Sequence, residues 1–385
     1  MNAVSRSGAK PKLLILSFTE IVHDARVKKQ ALLFAEDFEV VTCGYGEAVR
    51  PDIEHVRLDP SVPSVAKYLE AVLVRSRLYG AAFATDFRSR RAAELLRGRR
   101  FDAVIANELE TLPVAYRLVA PERVLLDLHE FYPGLHDDIP VWVQVRKPYQ
   151  EWLLRRRGTR AGAATTVSDT IAERYRSEFG IPCGVVRNAA PYREDLAPGA
   201  VGDTIRLVHA GVTAANRRPE VMMRAAARSR TDLTLDLYMT QQDTPFGREL
   251  QALAAELGPR ITLHPPVPHA ELVETLNRYD AGLHVLPPTN TNIELALPNK
   301  FFDSVQARLG MVIGPTVDMA KLLREYDLGA VAEGFDEDAV VAALDALDPA
   351  IVAVWKANAD VHARELSAQE QQRAWLEAVA GLLAA

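Results

Sequence analysis

The segment Ala296–Asp303, ALPNKFFD, sets a proline, an amide, a lysine and an acid within one short stretch. Proline is favoured in the first turn of a helix, where its missing N–H costs nothing. A helix therefore runs from Pro298 towards Gln306. Its start offers free backbone N–H groups and the positive end of the helix dipole. Lys300 adds a full positive charge, and Asp303 follows one turn later on the same side. This spacing can hold phosphate at the helix end and on Lys300, and a ribose diol on Asp303. Phe301 and Phe302 then turn inward as core. The competing reading is a surface helix whose Lys and Asp are solvated.

Other polar groups gather where apolar runs end. In HAGVTAANRRPE (His209–Glu220), Gly211 allows close backbone approach to a ligand. Arg217 or Arg218, which the spacing does not separate, would point from this loop into a cleft; a plain turn with exposed arginines is the alternative. In DLHEFYPG, His129 and Glu130 follow a strand, a place where such residues often only cap. Asn107 and Glu108 end another strand, and Glu110 or Thr111 could cap the helix that follows. After the first strand, His23, Asp24 and Arg26 stand where an acceptor or a sugar phosphate could lie. Arg26 could equally pair with Asp24 or Glu20. The stretch RKPYQEWLLRRRGTR (Arg146–Arg160) spaces Tyr149, Trp152 and Leu153 helically before three arginines. It reads as a helix resting on anionic lipid, or as a core-facing helix with a solvated basic end.

Short apolar runs alternate with amphipathic helical stretches along nearly the whole chain. The first strands are Lys12–Ser17, Phe38–Thr42, Ala103–Ala106, Val124–Asp127, Ala164–Val167 and Gly184–Val186. A second series comprises Ile205–His209, Thr234–Tyr238, Ile261–Leu263, Ala281–Leu286, Met311–Ile313 and Ala330–Val331. Such alternation predicts α/β architecture: parallel sheets covered on both faces. Two doubly wound sheets of about six strands suit this length better than one of twelve. The break falls in YREDLAPGAVGDT (Tyr192–Thr204), which is rich in Pro, Gly and acid. The expected domains are residues 1–198 and 199–365, with a helical tail over 366–385 that could cross back to the first. Two such domains facing a cleft would carry ligands on their strand-end loops.

Composition narrows the class. Apolar residues make up 48% of the 385 and charged residues 25%, as in globular proteins. No apolar run is long enough to span a bilayer. LLILSF (Leu13–Phe18) is too short for a signal-peptide core and lacks a cleavage site after it. Cys43 and Cys183 form no spaced set. A cytoplasmic chain is expected. Residues 1–198 carry 29 Lys and Arg against 26 Asp and Glu, whereas the remainder carries 16 against 25. The basic first half could meet an anionic membrane face from the cytoplasmic side. No zinc-finger, RNP or basic-helix pattern is present, so nucleic acid is not an expected partner. No Asp or His cluster has metal-ligand spacing, and no metal or cofactor is expected.

LPNKFFD resembles the donor-site segment of GT-B glycosyltransferases, especially the retaining family 4-like enzymes, whose P-[SN]-K-x-x-E stretch opens a helix. DARVKKQALLFAEDFEVVT, FDAVIANELETLPVAYRL, LLDLHEFYPG, TVSDTIAERYRSEFGIPCGVVRNAAPY and RLVHAGVTAANRRPEVMMRA are similar to further segments of that family, in the same order. Three positions depart from the pattern. Asp303 replaces the usual Glu, Leu295 falls where another Glu is usual (Glu294 is the nearest acid), and QARLGMV puts Arg308 and Gly310 where Gly and Pro are usual. The resemblance implies a GT-B fold of two Rossmann-like domains and transfer of a sugar from a nucleotide-diphosphate sugar, with UDP or GDP as the nucleotide, to an acceptor hydroxyl. Retention without metal is implied; an inverting enzyme, or a catalytically poor homologue serving as a nucleotide-binding partner, is the alternative. The implied donor set is Gly211, Arg217, Arg218, Asn292, Asn299, Lys300 and Asp303, with His129, Arg217 and Lys300 acting in catalysis. The acceptor set is His23, Arg26, Asn107, Glu108 and Glu130. A glycan, a lipid-linked molecule or a small molecule could be the acceptor.

Overall fold

A computed structural model describes residues 10–384. Thirteen strands form two all-parallel sheets. The first comprises β1 (Lys12–Glu20), β2 (Glu39–Tyr45), β3 (Glu54–Arg57), β4 (Ala103–Asn107), β5 (Val124–Leu128), β6 (Ala163–Thr166) and β7 (Cys183–Val185), in the order β3-β2-β1-β4-β5-β6-β7. The second comprises β8 (Ile205–Val212), β9 (Leu233–Thr240), β10 (Ile261–His264), β11 (Ala281–His284), β12 (Gly310–Ile313) and β13 (Gly329–Val331), in the order β10-β9-β8-β11-β12-β13. In each sheet the chain runs outward from a central strand and then returns to its other side. The order reverses between β1 and β4, and between β8 and β11. Such switch points open a crevice at the carboxyl ends of the strands. This is the doubly wound α/β arrangement expected.

Central strands are fully buried: AVIAN of β4, VLLDL of β5 and GMVI of β12 expose no residue. That follows from helices covering both faces. The edge strand β3, EHVR, buries only Val56 and was not foreseen. Its polar composition carries no apolar run to find. Caps set the helix boundaries. The Asp24 carboxylate accepts from the Arg26 and Val27 amides and so starts Ala25–Phe34. Gly180, at φ +69°, ends Asp169–Phe179 in the left-handed conformation that glycine adopts without steric cost.

The chain forms two compact units, residues 1–186 with 372–385, and residues 187–371. The division falls before the expected break, and the segment after it packs on the second unit. Ala189 and Tyr192 join the core around Phe301 and Phe302. The Arg193 amide donates to Gln306 and the Ala197 carbonyl accepts from Asn277. The tail also divides later than expected. Its last helix, Arg373–Ala384, places Trp375, Val379 and Leu382 in the first unit's core with Leu13, Ile15 and Ile105. On these boundaries the first unit holds 28 Lys and Arg against 25 acids, and the second 17 against 26.

Candidate functional site

In the second unit, several expected residues converge at the β8/β11 switch point. A cavity of about 320 Å³ is lined by Gly211, His209, His284, Asn299, Lys300 and Asp303 around its polar side. Leu272, Leu276, Met311, Ile313 and Met319 form an apolar wall. Helix Asn299–Gln306 supplies the lysine and the acid. Its buried face, with Phe301, Phe302 and Val305, anchors it in the core and holds its first turn at the cavity. A Cβ built on Gly211 would lie 2.9 Å from Lys300 Nζ and 2.8 Å from His209 Nε2. The lysine therefore reaches across bare backbone that any side chain would obstruct.

The charges here are unbalanced. Burial and then Arg217 pull the Lys300 ammonium down to about 8, with Asp303 partly opposing them. Two imidazoles stack beside it, His209 and His284, with centroids 5.8 Å apart and planes at 9°. Burial, reinforced by Lys300, holds His209 down to about 3. Burial, Lys300, His209 and Arg217 hold His284 well below its ordinary range. Both are neutral at physiological pH. His209 Nδ1 lies 2.8 Å from the Leu283 carbonyl, so it is the protonated nitrogen and Nε2 faces the cavity as an acceptor. His284 Nδ1 is buried without a hydrogen-bond partner. These histidines were not singled out from sequence. The signal available was their position, at or near the ends of two strands that turn out to be neighbours.

The two arginines separate in the structure. Arg217 acts on both Lys300 and His284. Arg218 has φ +47° and faces Glu220 at 3.6 Å. Asn292 lies buried in the preceding short helix, outside the cavity lining. Arg308, where the resembling family has glycine, sits at φ +59°, which explains the family's choice. Here the guanidinium offsets the strain. It donates to Asp360 at 2.6 Å and to the carbonyls of Gln306 and Arg193, both at 2.7 Å, tying the connecting segment to the unit. Gly310 has its own constraint, since a Cβ there would meet the Trp355 ring at 3.0 Å.

In the first unit, the expected residues gather at the β1/β4 switch point but largely bind one another. Arg26 reaches Asp127, 101 residues away, through Nε at 2.8 Å and Nη2 at 2.6 Å. Its Nη1 donates to the Val186 carbonyl, and the group lies over Trp375. Arg26 is thus buried, and its partner is neither Asp24 nor Glu20. Asp127 also accepts from Gln30 and Thr165. Although burial opposes its charge, Arg26 and His129 hold it well below the carboxylate range. Asn107 donates to the Leu16 carbonyl and to Gln30, leaving its Oδ1 3.0 Å from His129 Nε2. His129 Nδ1 lies 3.0 Å from Glu108. Burial disfavours the imidazolium, but Glu108 and Asp127 outweigh it and push its pKa up to about 10. His129 is therefore a fixed cation whose two N–H groups are both engaged.

Glu108 has φ +74°, a strained value for a non-glycine residue, of the kind that persists at functional sites. The Tyr132 hydroxyl donates to Glu108 and stands 2.7 Å from Glu110, whose carboxyl is pushed up by burial and by Glu108. His23 and Glu130 are exposed. Asp24 is committed to its cap and to Thr19. In helix Pro140–Arg156, Tyr149, Leu153 and Leu154 are buried, which makes it core-facing; Arg155 then covers Phe179, and Arg157 covers Phe83. Among the described residues, no helix is long and apolar enough to cross a membrane, and no group of three or more His, Cys, Asp or Glu is placed to hold a metal ion.

The architecture matches that of solved GT-B structures. Sucrose-phosphate synthase from Thermosynechococcus elongatus superposes with a TM-score of 0.70 at 13% identity, over 97% of this chain and 100% of that one. A glycosyltransferase from Rickettsia africae gives 0.69 at 12%, over 97% and 99%. Anabaena Alr3699/HepE, solved in complex with UDP, gives 0.68 at 13%, over 96% and 99%. No protein-family model and no curated protein sequence matches the chain. The fold is GT-B.

Proposed function

We propose that this protein is a glycosyltransferase that moves a sugar from a nucleotide-diphosphate sugar, held by the second unit, to an acceptor hydroxyl. The carrying observation is the Lys300 ammonium, which crosses bare Gly211 at a helix N-terminus beside two imidazoles that cannot take up positive charge. An anion there gains a cation, oriented N–H groups and a half-dehydrated setting in which their fields are strong. Lys300 and the first turn of Asn299–Gln306 hold the diphosphate, and Arg217 offsets charge that develops on the leaving phosphate. Asp303, one turn along, accepts the ribose diol. UDP is the favoured nucleotide, because Alr3699/HepE, of the same fold, was solved with UDP and with UDP-glucose. Lys300, Arg217 and the helix end together supply the positive charge needed, so the reaction is expected to survive chelation of divalent metal.

Transfer breaks the bond between the anomeric carbon and the phosphate oxygen and forms one to the acceptor oxygen. In the retaining route, the hydroxyl enters on the leaving-group face and its proton passes to a phosphate oxygen, so no carboxylate base is required. In the first unit His129 is already protonated, Asp127 is occupied by Arg26 and Asp24 caps a helix, which favours this route; the exposed His23 and Glu130 are the groups an inverting route would use as base. Calorimetry with UDP and GDP tests the donor site: Lys300→Ala and Asp303→Ala should together weaken binding by several kcal/mol, on the order of 1.5–3 for each charged hydrogen bond. Unchanged affinity in both variants would exclude the site. Anomeric NMR of the product then distinguishes retention from inversion.

A further inference from the structure

Helix Ser64–Arg75 of the first unit, twelve residues long, buries only Val74. Its outward face carries Val65, Tyr68, Leu69 and Val72, exposed by 79, 72, 46 and 40%. These positions follow the i, i+3, i+4, i+7 spacing of a single helical stripe. Soluble proteins expose single apolar residues routinely, but an ordered stripe calls for a partner. On its inner side Val74 is buried and Ala66 and Leu73 are half-buried, while Glu70 pairs with Arg146 at 2.5 Å and Lys67 borders a cavity with Glu70 and Arg146. Residues 60–91, which contain the helix, carry six Lys and Arg against two acids. Both acids are occupied, Glu70 by Arg146 and Asp86 by the Ser89 amide it caps. Arg75 borders the apolar stripe on its own helix, and Arg77 follows directly.

We propose that this outward face docks on an anionic lipid surface, with Val65, Tyr68, Leu69 and Val72 entering the headgroup boundary and Arg75 and Arg77 meeting acidic headgroups. An apolar stripe bordered by basic residues is how an interfacial helix binds. A second copy of the chain fits less well. The 12-residue helix is about 18 Å long, so its outer face offers on the order of 200 Å². A stable protein interface needs about 800 Å² per partner. Pairing two such faces would also oppose two basic segments. The inference does not depend on the transferase reading.

Cosedimentation of the full chain with vesicles tests the docking face. The protein should bind phosphatidylcholine vesicles containing phosphatidylglycerol, less so as salt rises, and bind pure phosphatidylcholine weakly. Val65→Ser/Leu69→Ser/Val72→Ser should reduce binding on the order of tenfold or more. All three side chains are exposed, so the thermal midpoint and UDP affinity should not change. Tyr68→Trp should show a blue-shifted emission on adding acidic vesicles. Val354→Ser/Val361→Ser, exposed on the second unit, should bind vesicles as the wild type does. Absence of wild-type binding to acidic vesicles at low salt, or undiminished binding by the triple variant, would overturn the proposal. A dimer in sedimentation equilibrium that the triple variant dissociates would instead assign the stripe to a second copy.

Discussion

The two units share a winding but use it in opposite ways. At the β1/β4 switch point, polar groups are paired into a closed set in which Arg26, Asp127, Gln30, Asn107, His129 and Glu108 each find partners within the unit. At the β8/β11 switch point, the charge is left open. Lys300 is held down to about 8, two imidazoles are kept neutral, and one of their nitrogens is orphaned. A shared winding therefore does not dictate the electrostatics of a crevice; the side chains on the strand ends do. A closed set rigidifies, whereas an open one favours a ligand of the missing sign.

The largest effect that would break this contrast lies in the first unit. Asp127→Ala leaves Arg26 buried without its partner and should cost about 3–5 kcal/mol in denaturant unfolding. A loss below about 1 kcal/mol would show that the set is not closed. Next, Lys300→Ala should lower UDP affinity by about 1.5–3 kcal/mol without lowering the thermal midpoint, since burial works against its charge. A joint loss of stability and affinity would make Lys300 as structural as Arg26.

Titration sharpens the contrast further. His129 is raised from 6.5 to about 10, so its contribution to stability is complete below 6.5 and is lost as pH climbs through 10. Thermal midpoints between pH 7 and about 10 should fall in the wild type and flatten in His129→Gln. Lys300, lowered to about 8, behaves oppositely: its burial penalty is present below 8 and is relieved as the group loses its proton. Affinity for a UDP-sugar should decline above pH 8 and hold steady in Lys300→Arg. The smallest effect is Gly211→Ala. It displaces the flexible end of Lys300 and presses on the buried His209 ring, costing about 1 kcal/mol in UDP affinity and a comparable amount in stability.

What could be read beforehand followed the range of the interactions. All but one of the thirteen strands announced themselves through local apolar runs. Lys300 and Asp303 were legible because proline, lysine and acid lie within six consecutive residues. Arg26 was not, because its partner is 101 residues away and nothing in VHDARVKK distinguishes Asp127 from Asp24. The histidine pair was invisible for the same reason: His209 and His284 meet only through the pairing of β8 with β11. The domain boundary was misplaced because a proline- and glycine-rich segment looks like a free linker, yet Arg308 and Gln306 bind its backbone.

The last helix carries a consequence for biosynthesis. Trp375, Val379 and Leu382 fill the first unit's core, and Trp375 underlies Arg26. The amino-terminal sheet cannot be completed until these residues leave the ribosome, after the whole of residues 187–371 has been made. At about 5–20 residues per second that delay is roughly 10–40 s. For that interval the part of the sheet that Trp375, Val379 and Leu382 cover stays exposed, a window in which a chaperone has something to hold.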